Sequence, residues 1–122
     1  MDWTVWIVAA AVVAAFFAWK RLALVSPREA RAWLAKGARI IDVRTPGEYQ
    51  SRHVPGAINV PLGDLSGQIG RHAPDKTQPL LVYCLSGGRS GVAQSLLKRA
   101  GYQHVFNLGS YGRAEKIVTG GR

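Results

Sequence analysis

From Trp3 to Trp19 the chain reads WTVWIVAAAVVAAFFAW, apolar on every face a helix could present, with Thr4 its only polar residue. Beyond Trp19 the pattern changes. Short apolar runs alternate with stretches whose apolar residues recur three or four positions apart. Ser26-Pro27-Arg28-Glu29 has the spacing of a capping box with proline in the first turn, which predicts a helix to about Lys36, ended by Gly37. Arg39 to Val43 (RIIDV) predicts a short buried strand. Thr45-Pro46-Gly47-Glu48 repeats the capping spacing and predicts a short helix to about Ser51, followed by a turn over His53–Gly56. Ala57 to Val60 predicts a second strand that Pro61 stops, and Leu62 to Arg71 a helix weakened by Gly63, Gly67 and Gly70. After a polar loop from Pro74 to Pro79, Leu80 to Cys84 predicts the central strand. A helix from Ser90 to about Arg99 turns Val92, Ala93, Leu96 and Leu97 inward, and His104 to Leu108 forms a last strand. The tail holds a weaker helical segment near Ala114–Val118. Strands alternating with helices predict an α/β domain, a largely parallel central sheet flanked by helices.

The leading segment carries a different expectation. At 1.5 Å per residue it gives roughly 25 Å of helix, just short of a bilayer core. Trp3, Trp6 and Trp19 lie near its ends, Asp2 precedes it, and Lys20 and Arg21 follow. A secretory leader would carry its positive charge on the other flank. The expectation is one transmembrane helix over residues 1–21, the inner membrane as location, and a domain over residues 22–122 facing the cytoplasm.

Composition narrows the chemistry. One cysteine in 122 residues makes no intrachain disulfide, and no Cys/His cluster has zinc spacing. The net charge of +9 favours anionic substrates or an anionic membrane surface. The basic residues are spread out and no nucleic-acid motif accompanies them, so nucleic acid is not an expected partner.

The lone cysteine, Cys84, ends the central strand and enters the loop Leu85-Ser86-Gly87-Gly88-Arg89-Ser90. Gly87 and Gly88 allow a tight backbone, and a helix starts directly after. Unpaired N–H groups of such a loop and helix start favour a thiolate. An inert buried thiol is the alternative for an isolated cysteine. No histidine stands near Cys84 in sequence, so a protease-like Cys–His pair has no support.

The loop resembles the active-site loop of the rhodanese family of sulfurtransferases, Cys-x-x-Gly-x-Arg-Ser, met here by Cys84, Gly87, Arg89 and Ser90. Ile41-Asp42-Val43-Arg44 with Glu48-Tyr49, the stretch His53 to Pro61, and Asn107-Leu108-Gly109 are similar to further motifs of that family. The resemblance covers about residues 26–109. It implies a rhodanese-like three-layer fold and sulfur transfer from a small donor such as thiosulfate to a thiol or cyanide, through a persulfide on Cys84. It implies no metal or organic cofactor. Leu85, Ser86, Gly87, Gly88, Arg89 and Ser90 would bind the substrate, with Asp42 and Arg44 in support. Related cell-cycle phosphatases place five residues between Cys and Arg, whereas four stand here, a cradle better sized for sulfur than for phosphate. A non-catalytic sulfur-carrying or protein-binding module at the membrane is the alternative, and a protein could serve as acceptor.

Neighbouring residues have plainer expected roles. Asp42, at a strand end, would bond loop amides. Arg44 and Glu48 would pair across the turn, His53 would stabilise its own turn, and Arg89 would either face the substrate or brace the loop. After Gly109 many family members carry a second glycine and then a tryptophan; Ser110, Tyr111 and Gly112 stand here, so a short or loose final helix is expected.

Overall fold

The computed structural model describes residues 2–120, without the side chains of residues 20–22. The elements run α1 (Trp3–Leu22), α2 (Pro27–Ala35), β1 (Arg39–Asp42), α3 (Pro46–Ser51), β2 (Ile58–Asn59), α4 (Leu65–His72), β3 (Leu80–Cys84), α5 (Gly88–Arg99), β4 (Val105–Ser110) and α6 (Tyr111–Thr119). The four strands form one parallel sheet in the order β2-β1-β3-β4. Leu24 adds an isolated parallel bridge to Asn107 beyond the β4 edge.

Strand alternation divides the interior into two layers. Leu80, Val82 and Cys84 of β3 face one side and pack with Leu65, Ile69, Ala93 and Leu97 from α4 and α5. Leu81 and Tyr83 face the other side, against Ala30, Leu108, Ala114 and Ile117 from α2, β4 and α6. All five residues of β3 are fully buried, as a central parallel strand covered on both faces requires.

The helix starts follow their caps. Ser26 accepts from the Glu29 N–H, and Thr45 with Glu48 forms a reciprocal capping box. The expected helix over Leu62–Arg71 begins instead as a 3-10 turn at Leu62–Asp64 before α4 proper. The last strand is longer than expected. A register shift between Val82 and Tyr83 lets β4 continue through Gly109, at φ +87°, to Ser110. The final helix is neither short nor loose, because Ser110 caps it by accepting from the Arg113 N–H and Ala114 and Ile117 bury one face.

The expected transmembrane helix is corrected. Among the described residues no helix is long and apolar enough to cross a membrane. The apolar run of α1 ends at Trp19, so it reaches about 25 Å where a hydrocarbon core measures about 30 Å. Trp3, Trp6, Val12, Phe17 and Trp19 along α1 are each more than half exposed.

Candidate active site

Two backbone features bring the loop around Cys84. Strand β3 ends at the sheet's carboxyl edge and places the sulfur there. Gly87, at φ +104° in the left-handed region, then reverses the chain and caps α5. A side chain at Gly87 would find room, with the Gly109 backbone 3.7 Å from a Cβ; the conformation is what demands glycine.

The Gly87 N–H donates to Cys84 Sγ at 2.9 Å. The Ser90 hydroxyl lies 3.5 Å from the sulfur and donates to the Gly87 carbonyl at 3.0 Å. Burial pushes the Cys84 thiol up, but its hydrogen bond with the Ser90 hydroxyl and those from the amides of Ser90, Gly87 and Ser86 pull it down and prevail. The net result is a thiol more acidic than an ordinary cysteine.

The sulfur is enclosed: Cys84 and Ser90 are both 0% exposed, whereas Leu85 is 56% exposed. A groove of about 670 Å³ runs beside the loop, lined by Ser86, Gly87, Gly88 and Val92, with Phe17 and Trp19 of α1 across from them. Cys84 itself does not line this groove.

Arg89 turns to Glu48 in a two-pronged ion pair at 2.7 and 3.0 Å. That pair fastens α5 to α3, and it holds the Glu48 carboxyl down at about 2. The expected Arg44–Glu48 pair is therefore corrected. Arg44 instead clasps Asp42 through Nε and Nη2 at 2.8–3.1 Å, with both residues buried. Arg44 lies in the bend just after β1, where its guanidinium reaches back to the Asp42 carboxylate at the strand end. Asp42 also accepts from the Arg44 amide at 2.8 Å and from the Tyr83 hydroxyl at 2.7 Å. Tyr83 in turn accepts from the Val54 N–H, tying the turn before β2 to the centre of the sheet. Burial and the Asp42 carboxylate hold Tyr83 in its protonated form.

Cys84, Leu85, Ser86, Gly87, Gly88 and Ser90 thus share one loop, while Asp42 and Arg44 sit on the opposite face of the sheet as a buried brace. His53 stacks on Tyr49 at 3.9 Å and bonds the Tyr49 carbonyl through Nδ1, which keeps it within its turn. Among the described residues no group of His, Cys, Asp and Glu is arranged to hold a metal. Glu48 as the partner of Arg89 was missed from the sequence. So was Tyr111, whose N–H donates to the Leu85 carbonyl at 3.2 Å. An acid three residues after a helix cap was visible, but its second role needed the fold.

The rhodanese-like domain profile matches residues 26–112, which span the loop, the brace and every strand. The chain belongs to the rhodanese-like domain family. Among curated relatives in that family, it is 48% identical over 69 residues to thiosulfate sulfurtransferase PspE of Escherichia coli, covering 57% of this chain and 66% of that protein. It is 37% identical over 77 residues to thiosulfate:glutathione sulfurtransferase of Saccharomyces cerevisiae, covering 54% of this chain and 55% of that one. The chain therefore spans about half to two thirds of these relatives' lengths. Among solved structures, the human single-domain sulfurtransferase TSTD1 superposes with a TM-score of 0.65 at 31% identity, covering 75% of this chain and 94% of that one. A rhodanese from E. coli solved with anions gives 0.61 at 43% identity, covering 62% and 89%. The rhodanese fold, a parallel sheet between two layers of helices, is shared throughout.

Proposed function

We propose that this rhodanese-like chain is a thiosulfate-type sulfurtransferase with Cys84 as nucleophile. The observation that carries the reading is the 2.9 Å contact from the Gly87 N–H to a sulfur also faced by the Ser90 hydroxyl. The Gly87 amide stabilises an anion where the reaction requires one. The Cys84 thiolate attacks the outer sulfur of thiosulfate. The S–S bond of the donor breaks, sulfite departs with its electron pair, and a persulfide remains on Cys84. An acceptor thiolate then attacks the outer persulfide sulfur, and the Cys84 thiolate leaves with the bonding pair. Charge and electrons balance in both halves, and dividing the transfer in two lowers each barrier. A low-molecular-weight thiol, cyanide or a cysteine of another protein fits the acceptor role. The names and identities of the sulfurtransferase relatives support the reading.

For location we propose attachment through α1 to the inner membrane, with the domain on its cytoplasmic side. The exposed apolar side chains of α1 supply the hydrophobic contact, and the basic residues that follow favour an anionic lipid surface.

Incubation with thiosulfate followed by intact-protein mass spectrometry is expected to add one sulfur atom to the wild type and none to Cys84→Ser. Thiocyanate formation from thiosulfate and cyanide should fall to background in the same variant. Undiminished turnover by folded Cys84→Ser would refute the assignment. Absence of an adduct with every donor would favour a sulfur-independent binding role.

A further inference from the structure

The loop around Cys84 is held from outside by the start of α6, and the contact is a main-chain one. Tyr111 is the first residue of α6. The leading N–H groups of a helix have no partner within it. The Tyr111 N–H instead donates to the Leu85 carbonyl at 3.2 Å, and Ser86 makes an antiparallel bridge to Ser110 beside it. No described peptide is cis, so the Leu85 C=O and the Ser86 N–H point in opposite directions from one planar unit. Fixing the carbonyl toward α6 therefore turns the Ser86 N–H away from α6, and one residue further on the Gly87 N–H donates to Cys84 Sγ at 2.9 Å. The Gly87 amide is among the groups that acidify the Cys84 thiol.

The anchor is itself held firmly. The Tyr111 ring lies between two guanidinium groups, Arg44 at 5.0 Å and Arg52 at 4.9 Å. Its hydroxyl accepts from Arg52 Nε at 3.2 Å. Arg44 is fixed in turn by Asp42.

We propose that the Tyr111 main-chain N–H is a positioning group for the nucleophile: by holding the Leu85 carbonyl beside the Ser86–Ser110 bridge it fixes the loop that brings the Gly87 amide to Cys84. This rests on the sulfurtransferase reading for its purpose. Its test needs no sulfur donor, so it stands or falls separately from that reading.

Two substitutions separate the N–H from the ring. Tyr111→Pro deletes both, and the site suits proline: it is the first helical position, and Ser110 before it holds φ −77°, ψ 160°, the region proline favours in its predecessor. Tyr111→Ala deletes the ring and keeps the N–H. Because Cys84 is the only cysteine, its ionisation can be followed by thiolate ultraviolet absorbance against Cys84→Ser in the full chain. The proline variant is expected to titrate about one pH unit higher than wild type, a roughly tenfold smaller thiolate fraction at neutral pH. The alanine variant, which keeps the N–H but loses the ring contacts, should titrate closer to the wild type than the proline variant does. An unshifted, folded proline variant, or an alanine variant shifted equally far, would overturn the proposal. Amide hydrogen exchange of the unmodified protein gives a check that needs no variant. The Tyr111 N–H should be protected despite its place at a helix start, and exchange at the unprotected rate would also overturn the proposal.

Discussion

Arg89 shows how a single side chain can serve a nucleophile without touching it. It stands five positions after Cys84, and its guanidinium is spent on Glu48, 41 residues away in sequence. The Glu48 carboxylate neutralises the guanidinium charge locally, so the cradle relies on main-chain amides. Glu48 titrates at about 2 in the folded chain against an ordinary value of 4.5, chiefly through its bonds to Arg89 and to the Thr45 amide. A lowered carboxyl stabilises the fold fully above its unfolded value and loses that contribution as pH falls toward the folded one. The stability difference between wild type and Glu48→Gln should therefore be constant above about pH 4.5 and shrink as pH falls to about 2. Urea unfolding at a series of pH values measures it; a difference that does not change with pH across that window would rule out the ion pair as its source.

At the scale of elements, α3 is the piece with the least to hold it. It has six residues and none of them is buried. A helix of that length is unstable alone, so its termini and its contacts decide whether it forms. Thr45 accepts from the Glu48 N–H at 3.3 Å, Glu48 returns to the Thr45 N–H at 3.1 Å, and the Tyr49 hydroxyl reaches the Ala57 carbonyl at 2.8 Å. Thr45→Ala is expected to cost about 1 kcal/mol. Denaturant titration at neutral pH would read that loss, and no change would mean that Arg89 and Tyr49 suffice to hold α3. By contrast α5, the crossover between the parallel strands β3 and β4, places Ala93 and Leu97 in the core and presents Val92 beside the groove. One helix thus carries both packing and the rim of the site.

At the scale of the molecule, the chain joins a close-packed rhodanese-like domain to a helix whose large apolar side chains lie open. An apolar surface of that extent calls for a partner phase. Domain and helix meet around residues 23–25, where the Val25 N–H donates to the Asn107 carbonyl at 3.0 Å and the Val25 carbonyl accepts from Arg113. Removing residues 1–22 leaves those contacts in place. The shortened chain is expected to stay folded and to lose binding to vesicles containing anionic lipid, where the full chain co-sediments. Equal sedimentation of both would show that α1 is not the attachment.

Much of this architecture was legible in the order of residues because its causes are local. Caps at Ser26 and Thr45, the punctuation by Gly37, and the unbroken apolar run of β3 each act within a few positions. Cys84 at a strand end before paired glycines is local in the same sense, and so is the resemblance it carries. What folding alone decided is which groups separated along the chain become neighbours. Glu48 meets Arg89, Tyr83 meets Asp42, and the Tyr111 N–H meets Leu85 only after β1, β3 and α6 have assembled. A hydrogen bond depends on distance and angle to about an ångström, and no periodicity in sequence specifies those across tens of residues. The enclosure of the sulfur is of the same kind, since burial is a property of everything packed around an atom and not of the residue that bears it.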